Sequence, residues 1–104
     1  MKVIVAGTDE REIAAALRAE GHEVTVVDVG NGESLTGAGI EETDIYLLTE
    51  MDQATSIAVA KDHNPGVRVV VYADGSLPEF ATRQADLMVD PDLLDPEAVA
   101  EELE

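Results

Sequence analysis

The chain has 104 residues, 45% of them hydrophobic but only 3% aromatic, and no cysteine. That suffices for one core of small aliphatic side chains and excludes disulfides, thiolate metal sites and thiol nucleophiles. Six basic against 23 acidic residues give a formal charge of -17 and a pI near 4.1, the wrong balance for a nucleic-acid backbone or an anionic membrane surface.

Short β-branched runs alternate with helical patterns, which predicts a parallel α/β sheet. Lys2–Ala6 reads as the first strand, leading through Gly7-Thr8-Asp9 into a helix over Glu10–Glu20. Ile13, Ala14, Ala16 and Leu17 form that helix's apolar stripe, and Gly21 ends it. Glu23–Asp28 is the second strand. Glycines 30, 32, 37 and 39 then leave room for no more than a short helical turn around Glu33–Thr36. After the third strand, Asp44–Leu48, Thr49 and Asp52 are spaced as a capping box for a long helix with Ala54, Ile57, Ala58 and Lys61 on one stripe. Asn64-Pro65-Gly66 stops it. Val67–Tyr72 is the fourth strand, Ser76 with Glu79 marks a helix start, and Asp86–Val89 is the fifth strand. Asp95-Pro96 opens a last helix with Val99 and Leu103 facing inward. Right-handed crossovers then predict a three-layer α/β sandwich, Rossmann- or flavodoxin-like, with a five-stranded parallel sheet in the order 2-1-3-4-5. The expectation is a single domain over residues 1–104. Without a signal-peptide pattern or a membrane-length apolar run, it is expected to be soluble and cytoplasmic, with no membrane insertion.

The opening strand, glycine turn, helix and strand form the frame of a dinucleotide-binding unit, and Asp28 follows Gly7 by 21 positions, near where such folds place a ribose-binding acid. The glycine fingerprint is broken, since its second and third glycines fall on Asp9 and Glu12. The candidate ligand-binding residues are Gly7, Thr8 and Asp9 in the first turn, Asp28 after the second strand and Thr49 after the third. Each has a plainer reading. Asp9 with Glu12 makes a capping box whose carboxylates fill the position a phosphate needs. Asp28 is a solvated strand end, and Thr49, Glu50 and Asp52 are caps. Asp9, Glu50, Asp52 and Asp74 form a candidate oxygen site for Mg2+ or K+, against the alternative of hydrated surface. His22 and His63 read as structural, and Met51, Phe80 and Met88 as core or interface filler.

Ala6-Gly7, Gly21 to Asp28, Ala38 to Asp44, Leu48 to Asp52, His63 to Gly66 and Val89 to Leu94 run colinearly over nearly the whole chain. Together they resemble the N-terminal domain of regulators of potassium conductance, the cytosolic NAD-binding subunits or tails of Trk-type uptake systems and potassium channels. The resemblance implies a Rossmann-like fold, NAD or another adenine nucleotide as ligand, a regulatory role in potassium transport, and a partner protein or homodimer. The chain departs from that pattern by one missing βα unit before Ala38-Gly39-Ile40-Glu41, which shortens the sheet. Asp28 then matches either the ribose acid or a later aspartate beside the adenine. Tyr72 stands where the family often has a base, and Thr55 where it often has Asn.

The function expected is a non-catalytic ligand-sensing module; the alternative is an interaction or scaffold protein that has lost its ligand. An enzyme is disfavoured, because a receiver-like phosphoryl acceptor needs an aspartate ending the third strand and a lysine after the fifth. This chain has Thr49-Glu50 and Asp90-Pro91 there. The acid excess, with Lys2 and Lys61 as its lysines, suits a salt-loaded cytoplasm; the other reading is an ordinary acidic bacterial protein. Like-charge repulsion opposes compaction in dilute buffer and is screened at molar salt, where the Debye length is about 3 Å. The thermal midpoint followed by circular dichroism should therefore rise strongly from dilute buffer to molar KCl, and a midpoint unchanged over that range would refute it.

Overall fold

The structure, a computed structural model, describes residues 1–75 and 77–103. Its five strands are β1 (Lys2–Ala6), β2 (Glu23–Val27), β3 (Ile45–Leu48), β4 (Arg68–Tyr72) and β5 (Leu87–Val89). All pair in parallel, in the order β2-β1-β3-β4-β5. Side chains alternate across a strand, so β1 sends Val3 and Val5 to one face and Ile4 and Ala6 to the other. In β3, Ile45 and Leu47 oppose Tyr46 and Leu48, and in β4 Val70 and Tyr72 oppose Val69 and Val71. Both faces of these central strands are buried, which is why their sequence is apolar without interruption.

Helices α1 (Ile13–Ala19) and α5 (Pro96–Glu102) cover one face, through Ile13, Ala14, Leu17, Val99 and Ala100, with Leu103 beyond α5. On the other lie α2 (Gly32–Gly37), α3 (Thr55–His63) and α4 (Glu79–Thr82), with Leu35, Ile57, Ala60 and Ala81 turned inward. The predicted α/β sandwich and strand order are observed, and residues 29–43 hold no extra strand. Strands β2 and β5 are the sheet edges. Edge strand β2 is poorly covered on both faces: Thr25 is exposed on the α2 side, and Val26 is 41% exposed on the α1 side.

The helix starts differ from their sequence signals. Helix α1 begins at Ile13 rather than Glu10, because Glu12 adopts a left-handed conformation (φ 57°) and makes no side-chain cap; the Asp9–Glu12 capping box does not form. Asp9 still caps the helix, its carboxylate accepting from the amides of Ile13 (2.8 Å) and Ala14 (3.4 Å). Thr49 caps nothing. A 3-10 turn over Met51–Gln53 precedes α3, whose N-cap, Ala54, offers no side-chain bond. The buried stripe near α3 is Ala54, Ser56, Ile57 and Ala60, with Ala58 exposed. Pro78 is the N-cap of α4; Ser76 and the Phe80 side chain lie outside the described part. Asp95 caps α5 as expected, accepting from Ala98 N at 2.9 Å.

Beneath the β3–α3 connection, the buried Tyr46 hydroxyl donates to Ser56 Oγ (2.7 Å), which donates to the Gln53 carbonyl (2.6 Å). Burial raises the Tyr46 pKa to about 12, against a smaller lowering by the Ser56 bond, so the phenol stays a donor. Gly30 packs onto this pair: a Cβ there would strike Tyr46 Oη and lie 2.7 Å from Ser56 Cβ. Gly30→Ala should therefore cost about 1–3 kcal/mol by overpacking. Because the clash is with the phenol oxygen, Tyr46→Phe should recover part of that loss in a double-mutant cycle by urea unfolding. Strict additivity would show that the two residues do not meet.

Candidate functional site

The C-terminal ends of all five strands form one rim, and β1 stands where the sheet order reverses: its crossover to β2 lies on one side and β3 on the other. In doubly wound folds this is the crevice that receives ligands. Gly7 makes the turn out of β1 with φ 107°, and its amide donates to the Val27 carbonyl at 2.9 Å. A side chain at this position would run into Thr49 Oγ1 and Glu50 Cγ, at 2.5 and 3.0 Å from Cβ. The glycine thus permits close approach, but to the β3 loop of the same chain.

That loop supplies what a phosphate would supply. Glu50 Oε1 accepts from the Thr8 amide at 2.8 Å and also from the Thr8 hydroxyl. Its other oxygen accepts from Gln53 Nε2 at 2.9 Å. Gln53 Nε2 also donates to the Asp28 carbonyl (2.8 Å), and Gln53 Oε1 accepts from Gly30 N (2.8 Å). Thr49 Oγ1 donates to the carbonyls of Thr8 (2.8 Å) and Ala6 (3.1 Å). Glu50 and Gln53 therefore tie the ends of β1, β2 and β3 together. The bonds from the Thr8 hydroxyl, Gln53 and the Thr8 amide hold the Glu50 pKa below its ordinary value. The space bounded by Thr8, Asp9, Arg11, Ile13, Thr49 and Tyr72 is only about 10 Å³, at the limit of holding one water molecule.

The predicted residues thus divide. Gly7, Thr8 and Thr49 come together in this knot, while Asp9 is turned to the start of α1. Asp28 joins the knot through its backbone carbonyl; it is exposed and opens onto a separate shallow cleft of about 450 Å³, lined also by Thr25, Val29, Asn31 and Ser34. Glu50 takes the amide of the turn and Asp9 the first amides of α1, as expected of Asp9, whereas Glu12 caps nothing. Nor do the four acids proposed for a cation form a group. Among the described residues the set whose oxygens lie within 4.8 Å of one another is Asp74, Asp90 and Asp92, all exposed; Asp74 also pairs with Arg11 at 3.3 Å. At the receiver positions, Thr49 is bonded inward and Asp90 accepts from the Asp92 amide at 2.9 Å, so neither an aspartyl acceptor nor a lysine is present. Gln53 and Gly30 escaped the sequence reading because their roles depend on the path of the β2–α2 loop; the available signal was an uncharged amide at the end of an acidic loop.

A family model described as "Family of unknown function (DUF7126)" matches residues 3–103. The chain belongs to this family. Similar folds occur in HP1043, an orphan response regulator of H. pylori (20% identity, TM-score 0.76, 99% of this chain and 92% of that one). They occur also in an atypical orphan response regulator whose regulatory mechanism is described as phosphorylation-independent (21%, 0.73, 100% and 92%). The TrkA-N domain of the inner membrane protein ybaL from Escherichia coli is a third (17%, 0.61, 99% and 96%). The potassium-regulator resemblance thus meets a neighbour in fold, alongside response regulators and pilus-assembly proteins, and at these identities the likeness concerns the fold alone. No curated protein matches the sequence.

A lowered folded-state pKa means that ionised Glu50 stabilises the fold above its unfolded value of about 4.5, and that this contribution is lost as pH falls through the lower folded value. Glu50→Gln should be less stable than wild type at neutral pH in molar KCl, where general repulsion is screened. The gap between their urea midpoints should close on acidification. A variant as stable as wild type at neutral pH would show that the Glu50 clasp contributes nothing.

Proposed function

We propose that this DUF7126 domain is a non-catalytic regulatory module that acts through contact with a partner protein and requires neither a bound nucleotide nor phosphorylation. The observation that carries this reading is the Thr8 amide at the switch point, which already donates to the chain's own Glu50 carboxylate. An incoming phosphate would have to displace that carboxylate and approach a rim containing Asp9, Asp52 and Asp74, against their charge. Thr49 and Asp90 at the two receiver positions support the absence of phosphoryl transfer, and the atypical regulator with a phosphorylation-independent mechanism is a parallel on the same fold. Fold likeness alone does not assign function; the weight rests on the filled site.

The second reading is a sensor of NAD or another adenine nucleotide in potassium transport, as the sequence resemblance to potassium-conductance regulators implies, with a TrkA-N domain among the similar folds. The Asp28 cleft favours it, since an exposed carboxylate beside open space can accept ribose hydroxyls while the phosphates remain outside. A melting screen in concentrated KCl against NAD, NADH, AMP and ATP separates the two. Ligand that binds the folded form must raise the midpoint as its concentration rises. A flat response to every nucleotide, with no phosphate incorporated from acetyl phosphate and Mg2+, is expected. A saturable rise with NAD that Asp28→Ala abolishes would replace the first reading with the second.

A further inference from the structure

Of the six large apolar side chains exposed among the described residues, Met1, Val26 and Val29 lie apart from the other three. Leu93 (79% exposed) and Leu94 (40%) stand together beside edge strand β5, where with Leu87 and Val99 they line a groove of about 320 Å³ between β5 and α5; Met88 (45%), in register with Val71 of the opposite face, also borders it. The exposure is built into the backbone. Leu93 N and Leu94 N donate to the Asp90 carbonyl at 2.9 and 3.2 Å, and the Tyr72 hydroxyl donates to the Leu94 carbonyl at 2.7 Å. The turn therefore fixes the Leu93 backbone with its side chain outward, so only that side chain remains to be ordered on binding.

Charge decides what covers this groove. Asp90 and Glu102 line it, Asp92 and Asp95 stand exposed beside it, and no Lys, Arg or His occurs anywhere in residues 84–104. A second copy applied through the same face would set these carboxylates against one another, and Arg11, which the structure brings to Asp90 and Asp92 by way of Asp74, is already paired with Asp74. Resting on the module reading above, we propose that the β5–α5 groove docks a segment of another protein that presents aliphatic side chains flanked by lysine or arginine. Leu93 and Leu94 form the apolar centre of the contact and the acids its polar rim, the arrangement of an anchored interface.

The probe is a synthetic amphipathic peptide of leucine and lysine, added to the full chain in moderate KCl. Two control peptides replace its leucines by serine or its lysines by glutamate. Amide shifts should be confined to residues 87–103, and both controls should bind at least about tenfold more weakly. Leu93→Ser, at a side chain too exposed to support the core, should weaken the leucine–lysine peptide by a similar factor with an unchanged melting midpoint. Asp92→Lys should weaken it too, less so as KCl rises. Equal binding of the serine control would mean charge attraction alone, and shifts elsewhere would place the contact elsewhere; either overturns the proposal. So would a concentration-dependent dimer in sedimentation that Leu93→Ser dissolves, since the occupant would then be a second copy. Absent binding with a flat nucleotide screen removes the groove and leaves the module reading; a nucleotide-dependent midpoint removes that reading instead.

Discussion

The carboxylate of Glu50 is the group on which the functional edge of this domain depends. A turn leaving β1 at a switch point presents an amide toward the next strand's loop, and in a nucleotide-binding fold that amide is left for a phosphate. Here Glu50 takes it, and Gln53 fastens the same carboxylate to the end of β2 and the start of α2. The two side chains do for the rim what a ligand bridging three strands would do, without the ligand. Gly7 is required here by its φ of 107° and by the β3 loop, which comes as close as a bound molecule would.

This explains why the fold was legible in the sequence and the site only in part. Central strands carry an unbroken apolar code because both faces are buried, and Val3–Ala6, Ile45–Leu48 and Val69–Tyr72 announce themselves for that reason. Short edge β5 keeps Met88 outside, so its apolar run carries both fold and surface information. The capping boxes misled because an acid or hydroxyl before a helix has other partners once the tertiary structure forms: Thr49 turns to the carbonyls of Ala6 and Thr8, and Glu12 takes a left-handed backbone that no local pattern encodes. Asp28 lies where the spacing put it, at the strand end, yet the phosphate pocket that would give it a partner is closed.

Charge organises the remaining surface. Ion pairs among the described residues include Lys2–Glu42, Arg11–Asp74 and Lys61–Asp86, all at least partly exposed, and with six basic residues to 23 acidic ones most carboxylates have no base of their own. Asp86 is the instructive exception. Burial pushes its carboxyl up, but the Val69 amide and Lys61 outweigh burial and hold its pKa below the ordinary value, fastening edge strand β5 to β4 and α3. A domain of this kind has a rigid sheet, a self-satisfied crevice and an apolar edge inside an acidic field. Those features suit recognition of a basic partner better than capture of an anionic metabolite.

The most direct measurement follows the Thr8 amide by NMR through a pH titration, alongside the Glu50 carboxyl carbon. An amide bonded to a carboxylate reports that carboxylate's ionisation. Both signals should therefore titrate together, with one midpoint below the ordinary value of 4.5, and the Thr8 amide should not move when NAD or inorganic phosphate is added at neutral pH. A Thr8 amide indifferent to Glu50 ionisation, and shifted saturably by either anion, would mean that the crevice is open and that the carboxylate only borders a ligand site.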